Sequence, residues 1–509
     1  MKKINPISFF ATLLIALLLA SCNNKEDSPV IRDTPQSTTV DFSKVEIQDF
    51  IWKGLNYYYL WKDNVPNLAN TKTDDSEAYF NLLNSKSDPE DFFESLIYNR
   101  QNVDKWSWIV DDYIALEQSF QGISKSNGVD FRLMYESGSN NDIFGYVRYI
   151  MPDSDASTKD VQRGYIFDAI NGQQLTIGNY RSLLFDNDTY TMNFADLNGG
   201  NPVSNGKSVE LTSVEYQENP VYIAKTLDIE GTKIAYLMYN GFTSSFDQQL
   251  NAAFAQFIAD GATELILDLR YNSGGSVRTS TYLASMITGQ FYDELFAKER
   301  WNDEIQEWYE TNQPTWIENR FLNEIVKHNQ NDEVVLQESI NSLNLTNVYV
   351  LTTGSSASAS ELIINGLNPY INVVTIGTKT SGKYTGSITL YDSENFGREN
   401  ANPNHTWAMQ PIVLETVNKL GENDKDGFDP TIEVNESLNN FGVLGEITEP
   451  LLATAIAQIT GTGKTATTKK DAVLLNKFVP EKPFSLTEGN MYIDKKLPDE
   501  LVKKFKKQY

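Results

Sequence analysis

The sequence predicts a multidomain α/β protein. Apolar, β-branched runs that are typical of buried strands alternate with amphipathic helical segments between residues 233 and 376. Nearer the N-terminus, apolar and aromatic residues from Val45 to Tyr59 recur at the three- and four-residue spacings of a helix. A chain of 509 residues has room for roughly two to four domains, each with its own core.

Composition excludes several classes of function. The net charge of −26 argues against a nucleic-acid partner, since such partners require a basic surface. The chain has only two histidines, His328 and His405, so a histidine-rich metal site is excluded and we expect no metal and no cofactor. Its single cysteine, Cys22, leaves no intramolecular disulfide and no second thiol to act as a nucleophile.

Residues 1–22 have the pattern of an export signal. Lys2 and Lys3 are the basic region, and residues 9–19 are the apolar core. Leu19-Ala20-Ser21-Cys22 resembles a bacterial lipobox, which implies lipidation of Cys22. The polar run after it resembles those of Bacteroidota lipoproteins. We therefore predict a lipid anchor at the outer membrane of the cell envelope, facing either the periplasm or the outside. A transmembrane anchor is the alternative, although the apolar run is short for a span.

Residues 23–42 are polar, contain two prolines and predict a flexible tether. Residues 43–118 predict a small helical domain. It has one helix from about Ser43 and a second over residues 76–83. A third begins at Asp88-Pro89 and runs to about Tyr98. The many aromatic residues of this region are expected to form its core, with an aromatic ligand-binding patch as the alternative.

The stretch from residue 348 to residue 383 carries the candidate chemistry. A predicted strand, 348–352, leads through a small-residue loop to Ser358, which precedes a helix that ends at Pro369. A second strand, 373–376, leads to a loop with Lys383, 25 positions after Ser358. A serine at a helix N-terminus lies beside free N–H groups that can stabilise an oxyanion. The alternative is that Ser358, followed by Glu361, is only the first residue of a capping box.

Three motifs in this order resemble the C-terminal processing (tail-specific) proteases, which are serine proteases with a Ser/Lys dyad. They are Asp268-Leu269-Arg270-Tyr271-Asn272-Ser273-Gly274-Gly275, Ser358-Ala359-Ser360-Glu361 and Gly382-Lys383. The resemblance implies a crotonase-like α/β catalytic domain over residues 220–460.

The resemblance also assigns roles. It implies that Ser358 is the nucleophile and Lys383 the general base, with the backbone amides of Ala359 and of Gly274 or Gly275 as the oxyanion hole. Thr385 or Ser387 is expected to orient Lys383. The alternatives are that Gly274-Gly275 is only a tight turn, and that His328 or His405 supplies the base. A lysine can serve as a base where burial lowers its pKa towards neutrality.

Residues 120–216 resemble a PDZ domain that precedes the catalytic domain. Gly128-Val129-Asp130-Phe131 occupies the place of the carboxylate-binding loop, and 162–166 followed by 169–172 matches a further family run. Asp130 stands where glycine is usual, so we expect repulsion of a C-terminal carboxylate. PDZ domains bind extended peptides by adding a strand at a sheet edge.

The remaining segments carry weaker signals. Residues 245–259 predict an amphipathic helix with Leu250, Phe254, Phe257 and Ile258 on its apolar face. Residues 276–345 are an insertion that either shapes the substrate cleft or decorates the surface. A calcium site at 424–430 is an alternative to a plain loop there, and residues 449–459 predict the last catalytic helix. Residues 461–509 are expected to be a linker and tail.

We therefore expect a membrane-anchored serine endopeptidase that cleaves protein or peptide substrates through an acyl-enzyme. The alternative is a surface lipoprotein derived from such a protease that binds peptides without cleaving them. Labelling of Ser358 by a fluorophosphonate would separate the two.

Overall fold

The computed structural model describes residues 40–329, 333–462, 477–480, 489–493, 495 and 497–506. Cys22, the signal segment and tether residues 23–39 lie outside the described residues, as do residues 463–476 and 481–488 of the predicted linker and tail. Within the described part, no helix combines the length and the apolar character needed to cross a bilayer.

The helices alternate with strands along most of the chain. In order they are α1 (Glu46–Tyr58), α2 (Ser76–Leu83), α3 (Pro89–Glu94), α4 (Tyr113–Phe120), α5 (Tyr180–Phe185), α6 (Asp247–Asp260), α7 (Val277–Thr288), α8 (Asp303–Asn312), α9 (Ala359–Leu367), α10 (Pro450–Thr460) and α11 (Asp499–Lys506). The predicted mixed α/β class is confirmed.

The strands fall into two groups along the sequence. The first group is β1 (Trp108–Val110), β2 (Ile123–Ser126), β3 (Val129–Tyr135), β4 (Ile143–Ile150), β5 (Ile166–Ile170), β6 (Gln173–Gln174), β7 (Thr189–Asn198), β8 (Asn201–Thr212) and β9 (Val214–Gln217). The second group is β10 (Val221–Ile229), β11 (Thr232–Tyr239), β12 (Glu264–Asp268), β13 (Gly275–Ser276), β14 (Leu295–Trp301), β15 (Glu318–Arg320), β16 (Glu324–His328), β17 (Val334–Ser339), β18 (Asn347–Thr352), β19 (Asn372–Gly377), β20 (Thr385–Ser387), β21 (Leu390–Tyr391), β22 (Ala408–Gln410), β23 (Ile412–Val417), β24 (Ile432–Glu433) and β25 (Met491–Tyr492).

A six-stranded sheet of order β10-β11-β12-β18-β19-β24 forms the centre of the molecule. Strands β11 to β24 run parallel to one another, and only β10 is antiparallel to its neighbour. Its strands are rich in Ile, Leu and Val because both faces are covered, as is usual for parallel sheets. Helices α6, α7 and α9 lie in the apolar core on one face, and α10 packs on the other.

A second six-stranded sheet has the order β13-β25-β20-β23-β14-β15. Strand β25 comes from the C-terminal end of the chain, and it runs parallel to both of its neighbours. Two segments distant in sequence, Gly275–Ser276 and Thr385–Ser387, are thereby joined through Met491–Tyr492.

Residues 123–217 form a separate sheet with its own core. Its strands pair in the order β3-β4-β5-β7-β8, with β6 beside β5 and the β2–β9 pair closing the segment. Val147, Phe167, Met192 and Leu211 are fully buried in this core. Strand β3 has only β4 as a strand neighbour, and its other edge carries no further strand but an isolated bridge from Met134 to Lys477.

The N-terminal helices and the central sheet share one apolar core. Trp52, Tyr58 and Phe92 belong to the same buried cluster as Leu267 and Val350. Residues 46–108 therefore pack directly against the segment that contains the predicted catalytic residues.

Three sequence expectations are wrong in detail. Helix α3 ends at Glu94 rather than near Tyr98, because residues 95–98 turn to bring Leu96 into the core. Ile258 is 45% exposed and does not belong to the buried face of α6. Of the two alternatives for residues 276–345, surface decoration does not fit: every residue of α7 except Arg278 is buried, and β14 pairs with β23.

Candidate active site

The predicted site residues meet at one edge of the central sheet. Strands β12, β18 and β19 are adjacent and parallel, so the loops after them emerge on the same side. These loops carry Gly274-Gly275, Ser358 and Lys383 respectively. Ser358, Glu361 and Lys383 line one common pocket, and Met491 of β25 also contributes to its wall.

Ser358 stands at a sharp turn into helix α9. Its φ of +65° is unfavourable for a residue with a side chain, at a cost of about 1–3 kcal/mol. The turn leaves Ala359 as the first residue of α9, where the backbone N–H has no carbonyl partner within the helix. The Ser358 side chain is fully buried, and its Oγ has no hydrogen-bond partner among the described residues.

Glu361 joins the Ser358 turn to the Lys383 loop. One carboxylate oxygen accepts from the N–H of Ser358 at 2.9 Å and from that of Lys383 at 2.8 Å. The other accepts from the N–H of Gly382 at 2.7 Å and from the Thr380 hydroxyl at 2.6 Å. Glu361 thus makes its half of the predicted capping box, while Ser358 Oγ is not used as a cap.

Lys383 is 1% exposed, and Trp106 of the N-terminal region lies beside its side chain. Burial lowers the pKa of Lys383 to about 7, against the opposing attraction of the carboxylates of Asp104 and Glu361. The ammonium nitrogen lies 5.1 Å from the centre of the Trp106 ring, and it donates a hydrogen bond to the carbonyl oxygen of Gly489. No hydrogen bond joins Lys383 to Ser358 among the described residues.

The two glycines after β12 differ in what their amides do. The N–H of Gly274 donates to the side-chain oxygen of Asn272 at 2.9 Å, whereas that of Gly275 donates to the carbonyl of Asn490 at 2.6 Å. Gly275 is therefore the glycine whose amide points at a carbonyl inside the site. Gly274 has a φ of +119°, and a Cβ there would lie 2.6 Å from the Cβ of Ser358.

Gly382 lets the lysine loop approach its neighbour. Its φ is +85°, and a Cβ would lie 2.6 Å from the carbonyl oxygen of Lys425. Residues 424–428 therefore support the Lys383 loop. No cluster of three or more His, Cys, Asp or Glu residues suited to a metal occurs in the part of the chain that the structure describes.

Arg270 and Asp268 form a structural ion pair beside the site. Both are fully buried, and the guanidinium also binds both carboxylate oxygens of Glu449 at 2.6 and 2.9 Å. Since unpaired buried charges are very costly, this network fixes the loop that leads to Gly274 and Gly275.

The candidates for orienting Lys383 do not contact it. The Ser387 hydroxyl donates to the carbonyl of Met491 at 3.1 Å, and the Thr385 hydroxyl is buried without a partner among the described residues. Neither histidine lines the pocket of Ser358 and Lys383. His328 is exposed on β16, and His405 pairs with Asp392 at 3.0 Å.

In the loop predicted to bind a carboxylate, residues 128–131, two backbone amides already donate to neighbouring side chains. The N–H of Gly128 donates to the Ser126 hydroxyl, and the N–H of Val129 to the Asn127 side chain. Phe131 packs against Phe167, with the ring centres 5.5 Å apart.

The charge of Asp130 is compensated by an ion pair, which removes the main reason to expect that it repels an incoming carboxylate. Asp130 forms a two-point ion pair with buried Arg148, which also donates to the Ser355 hydroxyl at 3.2 Å. Arg148 thereby links this sheet to the loop before Ser358.

Sequence reasoning missed three groups that contact the site. The sequence predicts Glu361 only as a capping residue. Its position three residues after Ser358 is the one sequence signal that places its carboxylate near Ser358. Trp106 and the carbonyls of Gly489 and Asn490 come from segments distant in sequence, and no motif marks them.

Comparisons with known proteins are consistent along the chain. Residues 233–408 match the model of peptidase family S41, and residues 46–108 match that of the peptidase S41 N-terminal domain. No protein with a curated description matches the chain. A crystal structure from Bacteroides fragilis NCTC 9343, assigned to the S41 proteases, is 26% identical with a TM-score of 0.60, and the match covers 81% of this chain and 97% of that one.

Two further solved structures are more distant. The photosystem II D1 C-terminal processing protease is 16% identical with a TM-score of 0.47, and the match covers 77% of this chain and 93% of that one. Mature CPAF is 12% identical with a TM-score of 0.44, and the match covers 83% of this chain and 99% of that one.

Proposed function

We propose that this chain, whose residues 233–408 match the model of peptidase family S41, is a serine-type peptidase that cleaves peptide bonds with a Ser358–Lys383 dyad. The observation that carries the proposal is their common pocket, in which Glu361 holds both backbones. Burial brings the pKa of Lys383 to about 7, so a substantial fraction of the amine is neutral and able to accept a proton near neutral pH.

The reaction proceeds in two halves. Neutral Lys383 takes the hydroxyl proton as Ser358 Oγ attacks the scissile carbonyl, and the resulting oxyanion is stabilised by the N–H groups of Gly275 and Ala359. The C–N bond then breaks, and the lysine ammonium protonates the leaving amine. A water molecule attacks the acyl-enzyme with the same lysine as base, which releases the new carboxylate and regenerates Ser358.

Covalent labelling tests the dyad. A fluorophosphonate should label Ser358 in the parent chain and leave Ser358→Ala unlabelled, while Lys383→Arg should label far more slowly because a guanidinium stays protonated. The variant with both histidines changed to alanine is the matched control, and it should label at the parental rate. Labelling that depends on a histidine, or parental labelling of Lys383→Arg, would refute the dyad.

We also propose that residues 123–217 are a PDZ-like module that engages the substrate peptide. The edge of β3 that carries no further strand supports this, since an extended peptide can add a strand there. The local contacts of the Gly128 and Val129 amides favour binding of an internal segment over a free C-terminus. Isothermal titration should therefore give equal affinities for a peptide with a free carboxylate and for its amide. A strong preference for the free carboxylate would contradict this.

Finally, we propose that Cys22 is lipidated and holds the protein at the outer membrane of the cell envelope. The proposal is supported by the lipobox-like run that ends at Cys22. Cys22→Ser should leave unprocessed precursor or release the protein from membranes. Unchanged membrane partitioning of that variant would refute the anchor.

A further inference from the structure

Two pieces of the C-terminal region lie where the proposed function places a substrate. Lys477–Pro480, here called the groove segment, lies beside β3. Gly489–Ile493, here called the cleft segment, contains β25 and lies beside Ser358 and Lys383.

The groove segment adds to the β3 edge of the PDZ-like sheet. Lys477 pairs with Met134 of β3 in an antiparallel bridge. The ring of Phe478 packs edge-on between Tyr135 of β3, at 5.5 Å, and Tyr180 of α5, at 5.1 Å. The next residue, Val479, is 80% exposed. A bridge to the edge strand with one aromatic anchor against a helix is how a peptide ligand binds by strand addition.

The cleft segment binds through the groups that catalysis needs. The Asn490 carbonyl accepts the N–H of Gly275, and the Gly489 carbonyl accepts from Lys383 Nζ. Met491 and Tyr492 form a strand between β13 and β20, and Met491 lines the pocket of Ser358.

This arrangement cannot coexist with the proposed reaction. The N–H of Gly275 cannot stabilise a substrate oxyanion while it binds Asn490, and the amine of Lys383 cannot activate Ser358 while it binds Gly489. The consequence is visible at Ser358, whose Oγ is buried without a partner among the described residues. For the proposed chemistry to occur, the cleft segment must leave.

We propose that the groove and cleft segments are a tethered pseudosubstrate, which blocks the peptide groove and the catalytic cleft until a substrate peptide displaces it. The proposal rests on the function proposed above, because that function defines the groove and the cleft. The two segments are covalently joined, so release of one lowers the effective concentration of the other. Displacement would free Lys383 Nζ for Ser358, whose Oγ has no partner among the described residues.

A substitution in the groove segment, rather than in the strand and helix that it contacts, tests the proposal on the full-length chain. Phe478→Ala removes the anchor and leaves Tyr135 and Tyr180 intact, and the matched control is Val479→Ala at the exposed neighbour. We expect Phe478→Ala to raise the rate of fluorophosphonate labelling of Ser358 about tenfold, which corresponds to a loss of about 1.4 kcal/mol in segment binding. Val479→Ala should label at the parental rate. Equal rates in the two variants, or slower labelling of Phe478→Ala, would overturn the proposal.

Hydrogen exchange gives a readout that does not depend on catalysis. In a Ser358→Ala background the Ile493 amide, which donates to the carbonyl of Ser387 at 3.2 Å, should be protected, and Phe478→Ala should speed its exchange about tenfold. Unprotected amides over residues 490–493 in the Ser358→Ala parent would overturn the proposal. Faster exchange with no labelling of Ser358 in any active-site-intact variant would instead refute the catalysis and uphold the pseudosubstrate contact.

A disulfide between the groove segment and β3 gives the opposite perturbation. Opposed residues of an antiparallel pair have Cα atoms about 4.5–5.5 Å apart, which is within the span of a disulfide, so Met134→Cys combined with Lys477→Cys can be oxidised to a locked form. The oxidised protein should label at least about tenfold more slowly than the same protein after reduction. The two single-cysteine variants are the controls and should show no redox dependence. Equal labelling of the oxidised and reduced double variant would overturn the proposal.

Discussion

Replacing Lys383 with methionine should stabilise the protein near neutral pH even as it abolishes activity. The lysine is 1% exposed, and burial lowers its pKa from 10.5 to about 7. Between these two values the unfolded chain binds a proton that the folded chain does not, so the wild-type free energy of unfolding rises with pH across this window. Methionine has a similar length and no charge, which removes this dependence.

The magnitude follows from the two pKa values. Linkage gives a cost of burying Lys383 of about 4.6 kcal/mol at pH 6.5 and about 1.4 kcal/mol at pH 9.5. Methionine also removes the hydrogen bond to the Gly489 carbonyl, and leaving that acceptor unpaired costs about 1–3 kcal/mol at any pH. The free-energy gain of Lys383→Met over wild type should therefore be about 3 kcal/mol larger at pH 6.5 than at pH 9.5, whatever the size of the lost hydrogen bond.

Urea unfolding of both proteins at the two pH values measures this difference, with the slopes checked for equality. Because every other titrating group is present in both proteins, its contribution cancels in the comparison. Lys379→Met is the matched control, since Lys379 is 46% exposed beside Asp429 and its substitution should give no pH-dependent gain. A gain for Lys383→Met that is the same at both pH values would show that the lysine is not held with a depressed pKa.

Three further predictions concern the site. The rate of peptide cleavage should rise with pH through about 7, as neutral Lys383 is the active form; a profile flat from pH 5 to 9 would contradict this. Glu361→Gln should lower kcat/KM about 10–100-fold, because it replaces the carboxylate that accepts all four hydrogen bonds described above. It should also shift the profile to lower pH because the carboxylate raises the pKa of Lys383; an unshifted profile would count against direct coupling. Gly274→Ala should abolish labelling of Ser358, since its Cβ would clash with that residue. Gly178→Ala should label normally, because a Cβ there would make only an ordinary contact with Thr176 at 3.9 Å.

The sequence predicts the central sheet and its helices closely because their patterns are local. The predicted strands at 348–352 and 373–376 are found at Asn347–Thr352 and Asn372–Gly377, and the helix predicted over 76–83 is found at those residues. Buried parallel strands must be nearly continuous in apolar residues, so the pattern leaves little choice. The resemblance drawn from the motifs at Asp268–Gly275 and Ser358–Glu361 is confirmed by the family match over residues 233–408.

The choice of which segments pack against one another, in contrast, is not encoded by local sequence patterns. Residues 276–345 carry many acidic and amide groups, which favours a surface interpretation, yet α7 within them is buried against α6 and α9. Several hydroxyls of α7 are satisfied by its own backbone: those of Ser280, Thr281 and Ser285 donate to carbonyls three or four residues earlier. Internal hydrogen bonding of this kind lets a polar sequence occupy a core.

The two residues proposed for catalysis could be identified from the sequence, whereas the environment that sets their chemistry could not. A serine before a helix and a lysine 25 positions later form a recognisable spacing. The burial that lowers the pKa of Lys383 depends partly on Trp106 and on the segment that carries Asp104, both far earlier in the chain. Trp106 and Asp104 reach Lys383 because the N-terminal helices pack into the shared core. No local sequence pattern encodes that packing.

The C-terminal segments are the hardest case, and the reason explains their proposed role. A strand that pairs permanently in a core needs apolar residues on its buried faces, and such a run can be detected in the sequence. Gly489 and Asn490 contact the catalytic groups through backbone carbonyls, which carry no sequence signal. The short apolar run Met491–Ile493 that follows them is buried, but a run of three residues is too short to predict a strand. Recognition through the main chain with few anchors is also how a protease binds many different peptides. A segment that binds in the manner of a substrate is therefore expected to have as little sequence signature as a substrate, and to be displaceable by one.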